Sequence, residues 1–468
     1  MRRVTLHPGD TTMKSTAPQR AALVIATLAA FITPFMGSAV NIALPAIGTE
    51  FAIDAVLLNW VSTAFILASA MFLVPMGRLA DMRGRKRVFM AGMAVYSAAS
   101  LAAPLASTAS ALIACRVAQG IGSAMTFGTG LPILISVFPP ERRGRVLGIN
   151  VAAVYLGLSM GPFLGGLITH YLGWRYIFLA TVPMGVAILI LVPVYLKGEW
   201  AEAKGERFDL GGSLVYGAGL AALMYGFSRL PSTPGIVLSL AGAAALFVFY
   251  RIEISIATPV MNMALFRDNV VFAMSNFAAL INYSATFASG FLLSLYLQYI
   301  KAMTPESAGM ILVSQPAVMA LLSPLAGSLS DRIEPRVVAS IGMALTTLGL
   351  SSFIFLHAGT PLGLIVAGLV VLGFGFALFS SPNTNAVMSS VESRHYGVAS
   401  GTLGTMRLTG QMFSMGIAML IFAVVMGRVP ITPEHYGQFL VSARIAFAVF
   451  TTLCFAGIFM SLARGKVR

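Results

Sequence analysis

Gly77-Arg-Leu-Ala-Asp81-Met-Arg-Gly84-Arg85-Lys86-Arg87 is a short basic turn set between two apolar runs, 55–76 and 88–106. Each run has the roughly 18–20 residues a helix needs to cross a hydrocarbon core. The pattern returns as Gly327-Ser-Leu-Ser-Asp331, an offset of 327 − 77 = 250. Gly120 and Gly122 return as Gly373 and Gly375, and Gly144 and Gly148 as Gly397 and Gly401, both offset by 253. Three ordered pairs at nearly one offset indicate an internal duplication. Two copies in the same orientation, with a site near the membrane midplane between them, are the plan of one large class of transporters.

Composition agrees with a chain that lives in lipid. Of 468 residues, 57% are hydrophobic and 10% charged, against about 45–50% and about 25% in ordinary soluble domains. The 46 glycines suit membrane helices, which approach closely through small residues. The pattern predicts an all-α integral membrane protein with fourteen helices: 21–43, 55–76, 88–106, 109–133, 145–168, 174–196, 209–229, 234–252, 270–299, 306–329, 336–356, 361–387, 397–427 and 438–462. The expected organisation is a tail at 1–20, a six-helix half at 21–196, a linker with two additional helices at 197–268, a second six-helix half at 269–462 and a tail at 463–468. The first run is too long for a signal-peptide core and reads as a retained helix.

The net charge of +14 is distributed in clusters between apolar runs, not along one soluble face, which argues against nucleic-acid binding. With the N-terminus in the cytoplasm, 23 of the 30 Lys and Arg fall on that side, the basic C-terminal tail included. That is the bias of membrane proteins toward positive cytoplasmic loops. The expectation is a multi-pass protein of the inner (cytoplasmic) membrane with both termini inside, acting as a monomer on a small-molecule substrate. Two cysteines, Cys115 and Cys454, form neither a disulfide framework nor a metal-spaced pair. No cofactor is expected, and no His–Ser, His–Cys or carboxylate pair suggests an enzyme.

These residues carry a resemblance. The 77–87 turn is similar to the signature loop between helices 2 and 3 of the major facilitator superfamily. Leu112-Ile-Ala-Cys-Arg116-Val-Ala-Gln119-Gly120-Ile-Gly122 resembles its helix-4 motif. Gly148, Gly157, Gly161-Pro162 and Gly165-Gly166 match its helix-5 antiporter motif, and Trp174-Arg-Tyr-Ile-Phe178 with Phe208-Asp209 resembles the fourteen-helix drug:proton antiporter branch. The resemblance implies two parallel halves, alternating access and export of amphipathic or drug-like molecules. It also implies that Asp81 meets the start of helix 13 near Gly397 and latches the cytoplasmic side. The repeat suggests a weaker counterpart in Asp331.

The residues themselves leave alternatives open. Asp81 can instead pair with Arg85, Gly84 permits the tight turn, and Gly77 a close backbone contact. Gly157, Gly161 and Gly165 recur every four residues and give one helix face a groove for a neighbour; Pro162 favours a bend. Arg116 deep in a span should face a wet cavity or a partner, with Gln119 on nearly the same face. It could draw an anionic metabolite, an alternative to drug export, or be structural; Arg407 poses the same choice. Asn41, Asn282 and Asn383 lead a polar inventory for the substrate path that includes Tyr155 and Tyr283. Met36 stands where the resembled branch carries a membrane-embedded aspartate. All sixteen acids and all five His lie in loops, termini or helix ends, so the coupling species, a proton or another ion, is open.

Overall fold

Backbone N–H and C=O groups in lipid have no water to bond and must pair within the chain, which selects helices for isolated apolar runs. In the computed structural model, which describes residues 17–201, 208–256, 263–330, 332–392 and 396–465, every regular element among the described residues is helical. They are α1 (Ala17–Phe51), α2 (Ala55–Arg83), α3 (Arg85–Ala102), α4 (Ala109–Val137), α5 (Pro140–Tyr171), α6 (Arg175–Tyr195), α7 (Leu210–Arg229) and α8 (Thr233–Glu253). There follow α9 (Met263–Asp268), α10 (Val270–Leu295), α11 (Pro305–Leu312), α12 (Ser314–Ser330), α13 (Pro335–Ser352), α14 (Leu362–Ser389), α15 (Tyr396–Ile421) and α16 (Tyr436–Ala463).

Thirteen described segments are long and apolar enough to cross a membrane, with α11 and α12 forming one of them. The 29-residue α4 is as long as α2, and at 1.5 Å per residue it reaches about 43 Å.

Several expected boundaries move for identifiable reasons. α1 continues through Pro45 to Phe51 instead of ending at 43. The expected helix 306–329 breaks at Val313, between α11 and α12. Pro316 has no N–H for the carbonyl of Leu312, so the helical ladder lapses there. Helix starts follow local chemistry: Asp54 Oδ1 accepts from the Leu57 amide at 2.7 Å, and Asp209 Oδ1 from the Gly212 amide at 2.9 Å. Such side chains satisfy amides that have no partner in the first turn.

Packing repeats with the sequence. In the first group α1 packs on α5 and α6, α2 on α4, and α3 on α4 and α6; in the second, α10 packs on α15 and α16, α12 on α14, and α13 on α14 and α16. The α7–α8 hairpin lies against α2 and α15, one helix from each group.

Candidate functional site

The seam between the two groups begins with a proline. Pro45 lies inside α1 and offers no N–H, so the Asn41 carbonyl four residues earlier loses its helical donor. Ser294 Oγ, on α10, donates to that carbonyl at 2.7 Å. Gln298 Nε2, in the π turn Tyr296–Ile300 that ends the helix, donates to the Ile42 carbonyl at 2.9 Å. The Asn41 side chain accepts from Ser62 Oγ at 2.9 Å, within its own group.

Helix 5 closes the same end. Gly157, Gly161 and Gly165 face α1, where an added Cβ would meet Phe31, Ser38 and Ala39. Gly166 turns the other way, and its Cβ would fall 2.6 Å from the Pro305 carbonyl oxygen of α11. The Pro162 carbonyl sits against Gly309, and the Tyr171 hydroxyl donates to Glu306 at 3.3 Å. One set of small residues therefore serves two neighbours. Beside it, Arg175 grips Glu50 with both terminal nitrogens at 2.6 and 2.7 Å, and Trp174 Nε1 adds a bond at 2.7 Å. These contacts explain the Trp174-Arg175 pair locally, inside the first group.

The opposite end carries the Asp81 turn. Leu73 of α2 meets Gly404 of α15, 3.8 Å from where a Cβ would stand, while Gly77 and Gly401 face open space. Asp81 pairs with Arg85 Nε at 2.8 Å. Gly84 has φ +112°, a conformation few other residues adopt. Glu199, after α6, packs over Gly84 and accepts from the Lys86 amide at 2.8 Å. Nothing in the sequence around Glu199 marked it as a cap on the signature turn. Asp331 lies outside the described residues, and Gly397 occupies the first turn of α15.

Between the two ends lies an aromatic and polar cluster drawn from both groups. Tyr155 of α5 is buried, packs against Met319 and Phe376, and donates to Ser380 Oγ at 3.3 Å. Tyr283 of α10 meets Phe376 edge to face, with centroids 5.2 Å apart. The Arg407 guanidinium carbon stands 5.7 Å from the Tyr283 ring centre, and its Nη2 donates to Thr384 Oγ1 at 2.6 Å. Its Nε is buried without a partner.

The other expected path residues sit elsewhere. Arg116 is 1% exposed. Its Nε donates to the Val61 carbonyl at 3.0 Å and its Nη1 to Gln119 Oε1 at 2.8 Å, while its guanidinium covers the Phe65 ring at 4.4 Å. Gln119 in turn donates to Ser100 Oγ at 2.8 Å. Arg116 and Gln119 thus bind α2 and α3 to α4 inside the first group. Asn383 does the equivalent in the second: it donates to the Ser275 carbonyl at 3.1 Å and accepts from Arg464 at 2.9 Å. Arg464, expected in a basic tail, is fully buried. Asn282 is buried with neither amide atom partnered, and Met36 is buried in α1. Among the described residues no three His, Cys, Asp or Glu side chains gather as a metal-ligand set.

The arrangement suits binding and release, not bond chemistry. Known proteins point the same way. The sequence profile of the Major Facilitator Superfamily matches residues 26–279 and 275–466. The chain is 27% identical to the riboflavin transporter RibZ of Clostridioides difficile over 94% of this chain and 96% of that one. It is 33% identical to the multidrug resistance protein Stp of Mycobacterium tuberculosis over 81% and 71%, and 32% identical to the cephamycin export protein CmcT of Amycolatopsis lactamdurans over 94% and 92%. Among solved structures, a peptide transporter superposes with a TM-score of 0.70 at 12% identity, covering 96% of each chain.

Proposed function

The chain belongs to the Major Facilitator Superfamily, is a multi-pass cell-membrane transporter and not an enzyme, and from that premise we propose that it exports amphipathic or drug-like small molecules by alternating access. In this reading the helices form two parallel six-helix halves joined by the α7–α8 hairpin, α4 supplies the fourteenth crossing, and both termini lie in the cytoplasm. The transporter works as a monomer. The observation that carries the proposal is the seam, where side chains bond the two groups at one end and both groups contribute to an aromatic and polar cluster further along.

The end with Glu50 and Gln298 is then the outer face, and the Asp81 end opens to the cytoplasm. A transporter needs two conformations separated by only a few kcal/mol, so that substrate can shift their populations. The outer closure meets that requirement. Apart from the Tyr171–Glu306 contact, its inter-group side-chain bonds join neutral groups, each worth on the order of 0.6 kcal/mol in a membrane protein. Asp81 serves as a cytoplasmic latch by leaving Arg85 for the start of α15 when that side shuts. The relatives named for drug resistance and antibiotic export favour export; the riboflavin transporter keeps a particular aromatic metabolite as the second reading.

Purified protein in liposomes tests the proposal with a panel of cationic, neutral and anionic amphiphiles, with and without a pH gradient. At least one compound should move faster than in protein-free liposomes, and Asp81→Asn should slow it. A panel of which none is moved would sink the export reading.

A further inference from the structure

We infer that the cluster of Arg407, Tyr283, Phe376 and Tyr155 is a binding site for planar aromatic compounds bearing an anionic group, with Arg407 Nε as the donor to that group. The inference rests on the transport reading and narrows its substrate class.

Four observations support it. First, Arg407 lies 407 − 396 = 11 residues into α15, about 16 Å along the helix, where a charge without function is disfavoured. Second, its side chain is incompletely used. Thr384 takes Nη2, while Nε is buried and unpartnered, unlike Arg116, whose donors are spent on α2 and α4. Third, the guanidinium stands over Tyr283, which itself meets Phe376 edge to face. Aromatic edges and faces at that spacing accept a further ring in an offset or T-shaped arrangement. Fourth, Tyr155 comes from the first group and the remaining members from the second. A ligand here contacts both bodies that must move.

The charge of the ligand follows from the acids. Those described on and beside the helices, among them Glu50, Asp54, Asp81, Asp209, Glu253 and Glu306, lie at helix ends. A cationic ligand in the cluster would meet a guanidinium with no carboxylate beside it. An anion would meet a charge-assisted donor, the stronger kind of hydrogen bond. Lysine would keep the charge but lose the planar fork.

Three matched probes test this on the purified protein by isothermal titration calorimetry: naphthalene-2-sulfonate, naphthalene-2-sulfonamide and trimethyl(2-naphthylmethyl)ammonium. Wild type should bind the sulfonate at least about tenfold tighter than the ammonium compound. Arg407→Gln should weaken the sulfonate at least about tenfold while changing the sulfonamide less than about threefold, and Arg407→Lys should fall between. Thr384→Val, which removes the anchor but not the charge, should keep the sulfonate preference. Ammonium binding equal to or tighter than sulfonate binding overturns the inference. So does sulfonate affinity unchanged in Arg407→Gln, or the failure of all three probes to bind. Should Arg407→Gln not fold, the wild-type order of the three probes decides alone. Liposome transport of some compound without any anion preference would sink this inference and leave the transport reading standing. Sulfonate binding through Arg407 with no compound ever transported would do the reverse.

Discussion

Met36 is buried in α1, between Phe35 and Ser38, the residues that pack against Gly161. Replacing it with aspartate, the residue that the antiporter branch carries there, places an ionisable group where lipid-buried acids cost about 2.5–3.5 kcal/mol on insertion scales. Met36→Asp should therefore lower expression and make transport more dependent on pH than in wild type, read from initial rates between pH 5.5 and 8. A flat profile in the variant would show that this position does not communicate with the substrate path. Arg116→Gln should behave differently. It removes the tie to the Val61 carbonyl and leaves Gln119 Oε1 without the Arg116 donor, a loss of about 1–3 kcal/mol for a buried group. Thermal unfolding should shift accordingly, while relative rates among substrates stay as in wild type. A changed substrate order with unchanged stability would return Arg116 to the path. The sequence made the burial cost of Arg116 legible, and the three-residue spacing put Gln119 on its face. It could not say what that face meets, because Val61 and Ser100 arrive from distant turns of other helices. Arg407, three residues beyond Gly404, was legible only as an equal alternative, since its difference from Arg116 lies in an unused Nε.

At the scale of elements, Pro45 converts a helix defect into an inter-group contact. The missing N–H was readable from sequence; the donors Ser294 and Gln298 were not, being some 250 residues away. Removing both donors with Ser294→Ala and Gln298→Ala should cost the closed outer end about 1–2 kcal/mol, a roughly five- to thirtyfold shift toward outward opening. Spin labels at Thr49→Cys and Lys301→Cys would read it as a longer distance population. An unchanged distribution would mean that packing of Gly166 against Pro305 and of Pro162 against Gly309, not the polar contacts, holds the outer end shut. The helix-5 glycines show the same limit of sequence. Their four-residue period gave one common face, and Gly157, Gly161 and Gly165 do share it. Gly166 is one position out of step, which is why it reaches the other group.

For the whole molecule, charge asymmetry and repeat offset were the most informative sequence signals, because membrane insertion constrains every crossing at once. Reporter fusions after Gly205 and Thr304 should appear in the cytoplasm and outside, respectively; both on one side would refute the fourteen-crossing arrangement. With the described acids at helix ends, transport by wild type should depend only weakly on a proton gradient. Strong uphill transport driven by that gradient alone, unaffected by neutralising Asp54, Asp81 and Asp209 in turn, would reveal a carrier elsewhere.

The α7–α8 hairpin adds a kinematic condition. The Tyr216 hydroxyl donates to the Ala70 carbonyl of α2 at 3.3 Å and has Thr409 of α15 beside it. Met224 lies against Gly416 about two helical turns further on. A body that touches two others cannot stay fixed to both while they rotate, so it must slip on one of them or lie close to the axis of their rotation. Small residues such as Gly416 make slip possible, and Gly416→Leu should slow turnover without weakening substrate binding. Rotation about an axis near the hairpin also makes the excursion unequal around the seam: least beside α2 and α15, greatest on the far flank where α5 meets α11 and α12. A solute would then enter and leave laterally offset from the molecular centre, along the flank that carries Tyr155.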